Sequence, residues 1–189
     1  MIKLLLKCLV SARLIPTLLL LACGLPAQSG ETNGDAPIKQ FHELTALVAS
    51  KAGAKIAFGG ATELTALPWL KEKGYKSVIN LRAENERPGH IEQMRHQAGL
   101  NELHYTHLPF DPAVANNVAE TFIQQVRTQS NHPLYIHCNS ATRAAALWLI
   151  FRVLEDGLDF DDARREVEGI AGRPDAAITF AKNYLDKLE

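Results

Sequence analysis

The apolar positions of this chain fall into short continuous runs separated by stretches of helical spacing. The runs Lys55-Ile56-Ala57-Phe58, Ser77-Val78-Ile79-Asn80-Leu81, His104-Tyr105-Thr106-His107-Leu108 and Leu134-Tyr135-Ile136-His137 read as strands, the first followed by the Gly59-Gly60 pair. Helical period fills the intervals: Thr62 to Lys73, closed by Gly74; Ile91 to Gln97, closed by Gly99; and a long amphipathic stretch from Val114 to Thr128. Such alternation predicts an α/β fold, a single domain with a mostly parallel central sheet flanked by helices. The segment Ala144 to Phe151 is apolar on all sides, which predicts a helix buried in the core. Two more helices are expected, over Asp159 to Gly169, with Asp159, Asp161 and Asp162 crowding its start, and over Pro174 to Leu188.

The first residues follow a different pattern. Lys3, Lys7 and Arg13 precede the apolar run Leu14-Ile15-Pro16-Thr17-Leu18-Leu19-Leu20-Leu21-Ala22, the layout of an export signal. The run is shorter than the roughly 18 to 20 residues that span a bilayer, and Pro16 interrupts it. Its end, Leu20-Leu21-Ala22-Cys23-Gly24, resembles a bacterial lipoprotein signal, in which the cysteine becomes the lipidated N-terminus; the alternative is ordinary cleavage near Ala27. We therefore expect a signal peptide over 1–22 and a flexible tether over 23–37, rich in Gly, Asn, Ser and acid toward its end. The folded domain is expected over 38–189. Export would place the protein in the periplasm, held to a membrane through lipid on Cys23.

A chain of 189 residues, 47% hydrophobic and 22% charged, suffices for one well-buried domain. Its formal charge of −1 gives no basic footprint for nucleic acid. With Cys8 in the signal and Cys23 lipidated, Cys138 is the single thiol left in the domain. That excludes an internal disulfide and a zinc site built on paired cysteines, and it marks Cys138 as reactive in an oxidising compartment. No metal and no cofactor is expected.

The stretch Leu134-Tyr135-Ile136-His137-Cys138-Asn139-Ser140-Ala141-Thr142-Arg143 runs from a strand through a short polar loop into a buried helix. Open α/β sheets bind ligands beyond the carboxyl ends of their strands, and a helix N-terminus offers unpaired N–H groups to an anion. A thiol placed there, beside a guanidinium, is favoured as the nucleophilic thiolate. The planar fork of Arg143 suits two oxygens of a tetrahedral oxyanion. The plainer reading of Cys138 is a small buried hydrophobe.

This stretch resembles the signature loop of cysteine-dependent phosphatases. The likeness extends upstream through Phe58-Gly59-Gly60, Leu70 to Gly74, and Ser77-Val78-Ile79-Asn80-Leu81-Arg82 with Glu84. Over about residues 55 to 172 the chain is similar to the bacterial branch of dual-specificity-type tyrosine phosphatases that includes beta-lactamase-hydrolase-like proteins. The resemblance implies hydrolysis of a phosphorylated substrate, phosphoproteins among the candidates, through a phosphocysteine. Cys138 is the implied nucleophile, Arg143 the phosphate clamp, Asn139, Ser140, Ala141 and Thr142 the phosphate-binding loop, and Asp111 the general acid. Asp111 reads equally as a turn residue before Pro112. His137 is expected behind the loop, orienting it or supporting the thiolate by hydrogen bonding.

Three features depart from that family's pattern. Four residues separate Cys138 from Arg143 where the usual tyrosine phosphatase loop has five, a length shared with the bacterial branch and with rhodanese-like sulfurtransferases. Ala141 stands where glycine is usual, and glycine is favoured where backbone takes unusual angles. Ala144 replaces the hydroxyl that commonly follows the arginine, leaving Ser140 or Thr142 to assist the departing thiolate or to cap the helix. Sulfur transfer through a Cys138 persulfide, or a catalytically weak phosphate-binding module, are the rival functions. The charged loop Arg82, Glu84, Glu86 and Arg87 reads as a solvated surface, with substrate contact as the alternative.

Overall fold

The structure is a computed structural model that describes residues 36–48, 51–111 and 117–188. The signal peptide, Cys23 and nearly all of the tether lie outside the described residues, as does Pro112. Among the described residues no helix is long and apolar enough to cross a membrane.

Five strands form one sheet: β1 (His42–Val48), β2 (Lys51–Gly59), β3 (Ser77–Asn80), β4 (His104–His107) and β5 (Leu134–His137), in the order β1-β2-β5-β3-β4. Strands β2, β5, β3 and β4 run parallel, and β1 is joined to β2 antiparallel. The helices are α1 (Ala66–Glu72), α2 (His90–Leu100), α3 (Val118–Arg127), α4 (Thr142–Leu154), α5 (Phe160–Glu168) and α6 (Pro174–Leu185). A single α/β domain with a mostly parallel sheet is thus what the alternating pattern predicts.

The period of two in the strands divides the core. Ala57, Val78 and Tyr135 pack with Leu67 and Leu70 of α1 and Met94 and Ala98 of α2. Their neighbours Ile56, Phe58, Ile79, Leu134 and Ile136 point the other way, onto α4 and its surroundings. Helix α4 is the centre of that layer: from Ala144 to Arg152 every residue is buried, as the all-round apolar segment predicts.

Two expectations need correction. Strand β1 is absent from the predicted runs, although Leu44, Ala46 and Val48 alternate inward in it. Helix α2 runs through Gly99 to Leu100, because a helix tolerates glycine at a cost of about 1 kcal/mol and here the turn comes at Asn101 and Glu102. Gly74, by contrast, does end α1, with φ +83° in the left-handed region.

Register places the chemistry. Gly59, His137, Asn80 and His107 lie side by side across the parallel strands, so the four carboxyl ends finish level. Everything that follows these residues, namely Gly60, Cys138 to Arg143, Arg82 to Glu86 and Leu108 to Asp111, therefore emerges at one edge of the domain.

Candidate active site

The loop after β5 is held from both sides by backbone. The Cys138 amide donates to the Gly59 carbonyl at 3.2 Å, and the Gly172 amide donates to the Ser140 carbonyl at 2.8 Å. A side chain at Gly60 would come within 3.1 Å of the Asn139 carbonyl, and one at Gly172 within 2.6 Å of the Ser140 carbonyl, so both positions need glycine for close approach. Beneath the loop, the Tyr135 hydroxyl meets Thr62 Oγ1 at 2.7 Å, and Thr62 donates to the Gly60 carbonyl.

Ala141 is the residue before α4 and has φ +55°, the left-handed conformation that favours glycine. The expectation of unusual backbone at this position is met, with alanine bearing it. Neither Ser140 nor Thr142 caps α4. Their hydroxyls contact each other at 3.1 Å, Thr142 Oγ1 also lies 3.3 Å from the Ser140 carbonyl, and it accepts the Arg173 amide at 3.2 Å. The capping reading is thereby corrected. The first N–H groups of α4, which no helix satisfies internally, are left without a side-chain cap beside the loop.

Arg143, in the first turn of α4, is gripped end-on. Its Nη1 donates to Glu86 Oε1 at 2.6 Å and its Nη2 to Glu86 Oε2 at 2.8 Å, while Nη1 also reaches the Phe110 carbonyl at 3.3 Å. Burial works against the charge of Arg143, but the Glu86 carboxylate and the Cys138 sulfur together lift its pKa above the ordinary value. Burial likewise opposes the charge of Glu86, and the Arg143 bonds, the Ala83 amide and nearby Arg82 overcome it, holding its carboxyl below the usual range. Arg82 is buried, with Nε 3.5 Å from Glu86. Of the charged loop, Glu84, Glu86 and Arg87 are exposed as expected, whereas Arg82 is buried; Glu86 also lines the cleft, and Arg87 pairs with Glu63.

The turn that aims this loop is legible in Asn80-Leu81-Arg82. Asn80 is fully buried, donating to the Tyr105 hydroxyl at 2.8 Å and accepting the Arg82 amide at 2.9 Å. Glu86 then bends back to accept its own turn's Ala83 amide at 2.7 Å. Nothing in the spacing of the sequence marks Glu86 as the partner of Arg143, 57 residues away.

Cys138 is buried as a free thiol behind the loop. A cleft of about 450 Å3 opens in front, lined by Asn139, Ser140, Thr142 and Arg143 of the loop, with Glu86, Phe110 and the start of α6 around them. The Phe110 carbonyl on Arg143 brings the Asp111 loop to the same mouth, and Asp111 itself is exposed there. His137 does not support the thiolate by hydrogen bonding: among the described residues neither ring nitrogen has a partner of ordinary geometry. Its ring stacks on Tyr135 with centroids 5.6 Å apart, and burial pushes its pKa down to about 3, so it is neutral.

A mostly parallel α/β sheet, a Cys-x4-Arg loop entering a buried helix and an arginine fork at the mouth of a cleft make up a domain of the DSP-PTPase type. The chain belongs to the PTP-NADK family, described as a DSP-PTPase phosphatase fused to NAD+ kinase, whose model matches residues 36–174. It is 25% identical over 135 residues to a beta-lactamase hydrolase-like protein of Agrobacterium fabrum, covering 70% of this chain and 30% of that protein. A Xylella fastidiosa protein of the same description is 24% identical over 111 residues, with 57% and 26% covered. The chain thus spans less than a third of the length of these relatives. Among solved structures it is similar to kinase associated phosphatase, at TM-score 0.60 and 13% identity over 82% of this chain and 97% of that one. It is also similar to the core catalytic domain of the PP-IP phosphatase SIW14 of S. cerevisiae, at TM-score 0.58 and 16% identity over 80% and 91%. At such identities the likeness to solved structures is one of fold.

Proposed function

We propose that the protein hydrolyses phosphomonoesters through a phosphocysteine. The Cys138 sulfur attacks phosphorus, and the bond from phosphorus to the leaving oxygen breaks as that oxygen takes a proton from Asp111. Water then attacks the phosphocysteine, giving its proton to the Asp111 carboxylate; the S–P bond breaks, and inorganic phosphate leaves. Arg143 and the N–H groups at the start of α4 hold the phosphoryl oxygens through both steps. Nothing in these steps draws on a metal. We further propose that residues 1–22 direct export and that Cys23 carries the lipid, which would put the substrate in the periplasm.

The observation that carries the reading is the Arg143 fork, fixed by Glu86 at the uncapped start of α4 directly after Cys138. The test is aryl phosphate hydrolysis by reduced protein, beside thiosulfate-to-cyanide sulfur transfer. Cys138→Ser is expected to abolish phosphate release, and Arg143→Ala to lower it by about 100- to 1,000-fold, the range for losing one transition-state donor. Asp111→Asn should lower turnover most for substrates with poor leaving groups. Sulfur transfer without phosphate release would overturn the reading, and silence in both assays with retained phosphate binding would make the protein a binding module.

A further inference from the structure

The same cleft contains a cation that hydrolysis of a simple phosphate leaves unused. Of the charged residues lining it, Glu86 is neutralised by Arg143 and Arg82, but Arg173 has no side-chain partner among the described residues. Unpaired arginines on open surface are unremarkable. Arg173 differs in being tied to the phosphate-binding loop on its main chain. Its amide donates to Thr142 Oγ1, the preceding Gly172 amide donates to the Ser140 carbonyl, and Pro174 stiffens the following bond at the first position of α6. Gly172 has no room for a side chain, so the strand of chain bearing Arg173 lies flat against the loop.

The cleft is also larger than one phosphoryl group requires, about 450 Å3, within the range of pockets that enclose a small organic ligand. Beside its two arginines the lining includes the apolar Phe110, Ala146, Ala177 and Phe180, with Phe110 and Phe180 edge to face at 4.8 Å. A ligand matching this lining carries two anionic groups, one for each arginine, on a small, weakly polar body.

Resting on the proposed phosphatase reading, we infer that the substrate is a small phosphomonoester carrying a second phosphate, with the reacting group on the Asn139 to Arg143 loop and the second on Arg173. Arg173 is a specificity residue in this scheme: it selects and orients, while bond making stays with Cys138. Guanidinium pairs well with phosphate because its planar fork meets two oxygens at once.

The experiment compares two inhibitors of aryl phosphate turnover by the full chain, 1,3-propanediol bisphosphate and propyl phosphate, in wild type, Arg173→Gln and, as a control off the cleft, Arg165→Gln. In wild type the bisphosphate is expected to bind about tenfold more tightly than propyl phosphate, the worth of one charge-assisted contact. Arg173→Gln should erase that advantage and Arg165→Gln should keep it. Raising ionic strength should shrink the advantage in wild type only as far as the Arg173→Gln value. An advantage that survives Arg173→Gln, or one absent from wild type, overturns the inference. Calorimetric titration of the same two compounds reads the preference without catalysis, so a protein that binds selectively but releases no phosphate would sink the proposed activity and leave the Arg173 subsite standing.

Discussion

Helix α4 carries two arginines bound to carboxylates, and they stand in opposite circumstances. Arg143, at the first turn, keeps 18% of its side chain exposed and takes a single carboxylate from a loop. Arg152, near the far end, is wholly buried and is shared between Asp156 and Glu166, with Trp148 donating to Glu166 as well. The interior cluster closes on itself, with one cation held between two carboxylates that the fold has already fixed. The arginine at the mouth has one carboxylate and the Phe110 carbonyl as partners and lines an open cleft. An ion pair alone does not distinguish a working arginine from a structural one; the distinction lies in whether the second face of the guanidinium is left for something else.

The sharpest way to break this comparison is to remove each arginine and measure stability and activity separately. Arg152→Met leaves Asp156 and Glu166 buried without their cation, and should cost about 3–5 kcal/mol in urea unfolding while activity per folded molecule persists. Arg143→Ala should reverse that pattern, changing stability by less than about 1 kcal/mol while turnover collapses. Equal stability losses in the two variants would erase the distinction.

Acid should separate the two clusters by sign. The Glu86 carboxyl sits below its ordinary value of 4.5, so its contribution is complete above that value and is lost as pH falls through the depressed folded one. Asp156 is shifted the other way: burial, aided by Glu166 and Glu155, raises it above 3.8 in spite of Arg152. Its charge costs stability above the raised value, and that cost fades as pH drops toward the ordinary one. In urea melts over acidic pH, the stability of wild type relative to Glu86→Gln should therefore fall, and relative to Asp156→Asn should rise. Parallel curves would contradict the assignment.

The smallest effect is expected at Ala141, which presents Arg143. Glycine there would relieve a left-handed alanine, worth about 1–2 kcal/mol. It would also lose a buried methyl, about 0.8 kcal/mol, and gain chain entropy when unfolded, about 0.4–1 kcal/mol. These offset, so Ala141→Gly should leave the melting temperature nearly unchanged, whereas the β-branched Ala141→Val should lower it clearly. A large gain from glycine would mean that the loop is strained.

Much of this was legible along the chain. Strands β2 to β5 are apolar runs between turn residues, the Cys138 loop is a local motif, and the burial of α4 follows from its unbroken apolar composition. Strand β1 was hidden because Leu44 and Val48 also sit at helical spacing and Glu43 and Ala46 are poor strand formers; only pairing with β2 decides the matter. The pairing of Glu86 with Arg143 and the placement of Arg173 escaped for a different reason. Each residue acquires its role from a contact with a distant part of the chain, Arg143 for one and Thr142 for the other, and no period or motif encodes such a meeting. The hydrogen bond to the thiolate expected of His137 is not made: the ring is fully buried and stacked on Tyr135, and among the described residues neither nitrogen has a partner of ordinary geometry.

The segment leading into the domain ends as a wedge. The Lys39 carbonyl accepts the Gly60 amide at 2.8 Å, and the side chain of Gln40, a residue with φ +55°, lies between Gly60 and Gly172, the two glycines that back the Cys138 loop. Traction on the chain ahead of this wedge is thus delivered to the two glycines that back the Cys138 loop.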